Sequence, residues 1–158
     1  MRNTKFLLPI ILGLLLPSVL IVSPSFAANT TGLAAAVVAT KGRVITGTIN
    51  ATGFDIGVYV GPGVTGVVIK NAKVFGANAH GIFIQDTHSV IVKDSEIYGN
   101  GNPAAGVASG KAIVLSGTED CLIIDNKVHD NWGGGIEVTD DGPNSPAALN
   151  PGKALPGK

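Results

Sequence analysis

The chain has 158 residues, with 11 basic and 11 acidic side chains and so no net charge at neutral pH. That length suits one domain rather than two, and the charge balance excludes the basic footprint of a nucleic-acid binder. Gly numbers 22, charged residues make up 14% and apolar residues 45%, which excludes a disordered composition and points to strands joined by tight turns.

The first 27 residues stand apart. Arg2 and Lys5 precede the uncharged apolar run "FLLPIILGLLLPSVLIV", and "SPSFA" follows it. A basic flank, an apolar run and the small residues Ser25 and Ala27 read as a secretory signal cleaved after Ala27. The rival reading is a retained membrane anchor. Pro9, Gly13 and Pro17 interrupt the run, which lies at the short end for a bilayer span, and so favour the cleaved signal. Removing Arg2 and Lys5 with the signal takes the net charge from zero to about −2. The expected product is secreted or extracytoplasmic, with no membrane segment. Its single cysteine, Cys121, precludes an internal disulfide, so packing and hydrogen bonds must hold it together.

Residues 28–43 read as an N-terminal cap or irregular segment, and the stretch from Leu33 to Ile56 offers short strands for one imperfect first coil. Residues 44–142 carry a repeat. A small residue followed by alternating apolar residues occurs as "GVYV" at 57–60, "GIFI" at 81–84, "AIVL" at 112–115 and "GIEV" at 135–138. A second motif, apolar-x-apolar-x-[N/D]-x-x-apolar, occurs as "VVIKNAKV" at 67–74, "VIVKDSEI" at 90–97 and "CLIIDNKV" at 121–128. Both motifs step by 23 or 24 residues except for one step of 31, and the surplus falls in "NGNPAAGVASGK", a loop by composition. Self-similarity at this period, with two or three short strands per unit, implies coils of strands stacked on their counterparts. Residues 143–158, with four prolines, read as a Pro/Gly-rich linker or disordered tail and a poor cap. Further coils beyond the last one, or a partner subunit resting on it, are therefore expected.

The repeat resembles the coils of the pectate-lyase-like superfamily. The resemblance spans about residues 44–142 and implies an all-β fold, a single-stranded right-handed parallel β-helix of about four to five short coils. Period-2 strands then send Val58, Val60, Ile82, Ile84, Ile113, Leu115, Ile136 and Val138 inward. Val67, Ile69, Val74, Val90, Val92, Ile97, Cys121, Ile123 and Val128 join them. Asn71, Asp94 and Asp125 form a turn column whose side chains are expected to bond free amides.

Aligning the coils yields a surface map. Phe75, Tyr98 and His129 follow the inward Val74, Ile97 and Val128, so they form an outward ring column at strand spacing, with Trp132 three residues further on. Rings beside Asn100, Asp130 and Asn131 suit a polysaccharide or cell-surface glycan, because rings cover sugar C–H faces while amides bind hydroxyls. The structural alternative is rings that pack only against each other between coils. Lys73, Glu96 and Lys127 alternate in sign as a solvated ladder. Tyr59, Phe83, Val114 and Glu137 form another outward column, suited to a contact surface. Asp140 and Asp141 are candidate calcium ligands with Glu119 or Asp120 nearby, and the alternative is ordinary solvated turn acids. His88 should lie beside Glu119 on the next coil. No cofactor other than calcium is expected.

The superfamily includes polysaccharide lyases, hydrolases and epimerases, which makes a short polysaccharide-acting enzyme the alternative function. Lyases of this type use an Arg or Lys base beside calcium-binding carboxylates, whereas the only arginine after the signal is Arg43, outside the clear repeats. "DD" at 140–141 matches a fragment of the hydrolase pattern, and "DTH" at 86–88 lacks the proline of the epimerase motif. No catalytic residue transfers. The reading favoured by the residues is an exported, non-catalytic β-helix module that binds polysaccharide or another extracellular surface.

Overall fold

A computed structural model of the chain describes residues 33–105 and 110–140. The expected signal, the tail at 143–158 and Asp141 lie outside the described residues. Coil one contains β1 (Ala35–Val38) and β2 (Val44–Asn50), and coil two contains β3 (Ile56–Val60) and β4 (Val68–Phe75). Coil three contains β5 (His80–Gln85), β6 (Ile91–Lys93) and β7 (Glu96–Tyr98). Coil four contains β8 (Lys111–Ser116), β9 (Leu122–Ile124) and β10 (Lys127–His129), and β11 (Gly134–Thr139) begins the next. A 3-10 turn at Pro103–Ala105 lies in the expected loop between coils three and four.

Every strand pairing among the described residues is parallel. One sheet runs β1-β3-β5-β8-β11, and β4 joins β2, β6 and β7 into the second, which β9 and β10 extend. Ile82 pairs with Ile113 and Ile113 with Ile136, so the apolar column expected from the repeat is in register. Val58, Val60, Val67, Ile69, Val74, Ile82, Ile84, Val90, Val92, Ile97 and Ile113 are fully buried in one continuous interior. Each fully buried side chain of this size contributes roughly 1.5–3 kcal/mol.

Two members of the column depart from expectation. Ile136 and Val138 keep their register yet are 52% and 75% exposed, because no described coil covers the rung they start. For the same reason Cys121, Ile123 and Val128 are only partly buried against the core.

Gly57 and Gly81, at the start of the first two sheet-one motifs, have a steric cause. A Cβ on Gly81 would lie 2.6 Å from Ile97 Cγ2 and 2.7 Å from the Ala112 carbonyl oxygen. The chain turns a corner there and the next coil comes too close for a side chain.

The turn column Asn71, Asp94 and Asp125 works differently from the expectation. All three adopt left-handed backbone, with φ of 48, 50 and 52°, and their side chains are exposed. Asn and Asp tolerate that region best after Gly. The amide bonding falls instead to the following position: Ala72 N donates to Ser95 Oγ at 3.1 Å, and Ser95 N donates to Asn126 Oδ1 at 3.0 Å. The outward Tyr59 and Val114 are also buried, at 3% and 6% exposure. Tyr59 joins Ala35 and Ile56 in a small satellite cluster, and its hydroxyl donates to Gln85 Oε1 at 2.8 Å.

Candidate functional site

The ring column forms on the outer face of the second sheet. Strand register places Phe75 beside Tyr98 and Tyr98 beside His129. Phe75 and Tyr98 stack with centroids 5.2 Å apart and planes 19° from parallel. Tyr98 and His129 stack at 5.3 Å and 2°. The alternation of apolar and polar residues sets this geometry, since Val74, Ile97 and Val128 face inward and their successors must face out. The stack also limits what the rings can do. Their faces lie along the solenoid axis and cover one another, so the column shows edges to solvent. His129 is the last ring of the stack, and its side chain is 32% exposed. Trp132 follows in the turn after β10 and is 57% exposed.

A charge network clasps this column. The Glu96 carboxylate meets Lys127 Nζ at 2.9 Å, His129 Nε2 at 3.1 Å and Lys73 Nζ at 3.5 Å. His129 Nδ1 lies 2.8 Å from Asp130 Oδ2. Hydrogen bonds from Lys127 and then His129 hold the Glu96 carboxyl down at about 2. Asp130 first, and Glu96 second, raise the His129 imidazole above its usual 6.5. The ring sits between two carboxylates and flat on Tyr98, so its protonated form gains cation–π attraction in addition to the ion pairs. The sequence indicated the Lys73–Glu96–Lys127 ladder but missed the entry of His129 into it. The signal was present: His129 follows Lys127 by two residues, so both project on the same face as Glu96. Lys73, Glu96 and Lys127 also line a groove of about 540 Å³ with Asn71, Asp94 and Asp125.

Asn100 and Asn131 are placed beneath the rings in a ladder of their own. Asn100 Oδ1 accepts from Ala77 N at 3.1 Å, and Asn131 Oδ1 accepts from Asn100 N at 3.1 Å and from Asn100 Nδ2 at 2.9 Å. Asn131 Nδ2 donates to the carbonyls of Ile97 and His129 at 3.0 and 2.9 Å. Asn100 is fully buried. Both amides are thus committed to the backbone of the turns, and the polar groups facing solvent beside the rings are Glu96, Lys127 and Asp130.

The other candidates do not converge. Asp140 is exposed at the end of β11, and Asp141 lies outside the described residues. Among the described residues no three His, Cys, Asp or Glu side chains are grouped to hold a metal ion. His88 and Glu119 are bridge partners across adjacent coils, but the His88 ring bonds Ser89 Oγ at 3.0 Å. His80 packs against the Phe83 ring at 5.6 Å, and burial lowers its pKa.

Comparison with known families decides the identity of the fold. The family described as right handed beta helix region matches residues 25–150. The chain belongs to the right-handed β-helix family. No curated protein and no solved structure matches this β-helix. The four-coil solenoid and its in-register interior are what that family's repeat specifies, and the fold by itself does not specify a function.

Proposed function

We propose that this β-helix is an exported, non-catalytic module that binds polysaccharide at the far end of its ring column. The observation that carries the reading is the parallel Phe75–Tyr98–His129 stack, which ends in the partly exposed His129, close in sequence to an exposed Trp132. A pyranose ring seated on the His129 and Trp132 faces would present C–H groups to them and hydroxyls to Glu96, Lys127 and Asp130. Such amphipathic rings serve as anchors where one side is apolar and the rim is polar. The basic flank, apolar run and Ala27 site at the N-terminus support export.

Retention of the purified chain on a panel of immobilised polysaccharides tests the proposal. Trp132→Ala is expected to weaken retention about tenfold or more, as for aromatic anchors elsewhere, with an unchanged melting curve. Tyr98→Ala should weaken it as well, by removing the ring on which His129 rests. Wild-type protein that no polysaccharide retains, or Trp132→Ala that binds as wild type does, would count against the reading.

A further inference from the structure

We propose that Asn50 is the acceptor for an N-linked glycan, attached as the exported chain meets an oligosaccharide transferase. Export, already proposed for this chain, is the condition on which it rests. Asn50, Ala51 and Thr52 spell Asn-x-Thr with x other than Pro, the acceptor pattern of N-glycosylation in surface loops of secreted proteins. Asn71, Asn78, Asn100, Asn102, Asn126 and Asn131 have no Ser or Thr two residues on, so Asn50 alone fits the pattern among the described residues.

The fold presents this tripeptide at a turn. Strand β2 ends at Asn50, and the chain bends back at once, with Phe54 N donating to the Ala51 carbonyl at 2.9 Å and Gly53 at a φ of 87°. Ala51 is fully buried, whereas Asn50 and Thr52 on either side of it are exposed. Asn50 Oδ1 accepts from Thr52 Oγ1 at 2.7 Å and from Thr52 N at 3.1 Å. Thr52 thus holds the amide by its oxygen, and among the described residues no hydrogen bond engages Asn50 Nδ2, the atom that takes the sugar. The contrast with the buried turns is direct. Nδ2 of Asn100, Asn126 and Asn131 each donates to a backbone carbonyl, on Tyr98, Val92 and Ile97.

In the transfer, Asn50 Nδ2 attacks the anomeric carbon of an oligosaccharide carried on a polyprenyl diphosphate. The N–C bond forms as the bond from that carbon to the phosphate oxygen breaks, its electron pair leaving with the diphosphate. Nδ2 gives its proton to a base of the transferase, and nothing is oxidised or reduced. Register pairs Asn50 with Phe75, the ring that precedes Tyr98 in the column. The first pyranose unit would therefore be carried beside aromatic surface suited to its C–H groups.

Cell-free translation of the full chain with endoplasmic-reticulum microsomes tests this. A second Asn-x-Thr, at Asn29, Thr30 and Thr31, lies outside the described residues, so every chain carries Asn29→Gln. Protease protection reports entry into the vesicles, and a band shift removed by peptide N-glycosidase reports the glycan. Protected chain with one such shift is expected. The shift should be lost in Asn50→Gln and in Thr52→Ala and kept in Thr52→Ser, and because the readout is mass it does not depend on how a variant folds. Protected chain without a shift, or a shift that survives Asn50→Gln, would overturn the proposal and leave export standing. Chain that stays outside the vesicles would overturn both.

Discussion

Asn100 donates from Nδ2 to Asn131 Oδ1 at 2.9 Å, one coil stacked on the next, and the pair stitches the turn beneath the ring column. Asn100 also receives Ala77 N and donates to the Tyr98 carbonyl. Its Oδ1 accepts from the amide of the buried Ala77, so Asn100→Ala should cost about 2–3 kcal/mol, since a buried polar group left without a partner costs its desolvation. Asn131→Ala, on the less covered coil, should cost less. Urea unfolding followed by far-UV circular dichroism measures both, and equal costs would place the ladder's worth elsewhere.

The Glu96–His129 pair sets a pH window. Glu96 is held below its ordinary 4.5, at about 2, so its contribution is present above 4.5 and is lost as pH falls through about 2. His129 is raised above 6.5, so its contribution is complete below 6.5 and is lost as pH rises through the raised value. Both are complete only between about 4.5 and 6.5. Melting temperature of the wild type, minus that of His129→Ala, should therefore peak inside this window and shrink on either side. A difference that is flat from pH 3 to pH 9 would refute the network's role.

Gly81→Ala places a methyl within 2.6 Å of Ile97 Cγ2 and 2.7 Å of a backbone oxygen. Overpacking of this kind costs about 1–3 kcal/mol. Ala112, which occupies the same position one coil on, should accept Gly with a smaller loss. Thermal unfolding of Gly81→Ala and Ala112→Gly gives the comparison, and the prediction fails if Gly81→Ala melts with the wild type.

The left-handed turn column separates backbone from side chain. Asp94 has a φ of 50° and an exposed side chain, whose ion pair with Lys93 is at 3.4 Å. Asp94→Val should lose about 1–2 kcal/mol, because a branched residue resists this conformation, whereas Asp94→Gly should stay within about 0.5 kcal/mol of wild type. Denaturant midpoints check the order. Equal losses for Val and Gly would mean that the carboxylate, and not the backbone, matters.

The wrapped fold was legible in the chain because stacking leaves a linear trace: Ile82, Ile113 and Ile136 recur at one position of the repeat, and one inward residue per rung is what a continuous interior requires. The ring column was legible for the same reason, since Phe75, Tyr98 and His129 each follow an inward residue. What register alone does not specify is which neighbours a side chain reaches. Hydrogen-bond geometry between coils turned Asn100 and Asn131 inward, to backbone amides, and brought His129 to Glu96. Exposure, too, was decided only in three dimensions. Ile136 and Val138 have the same pattern as Ile113 and Leu115, yet they lie open, because burial depends on whether another rung covers them and pattern does not record that.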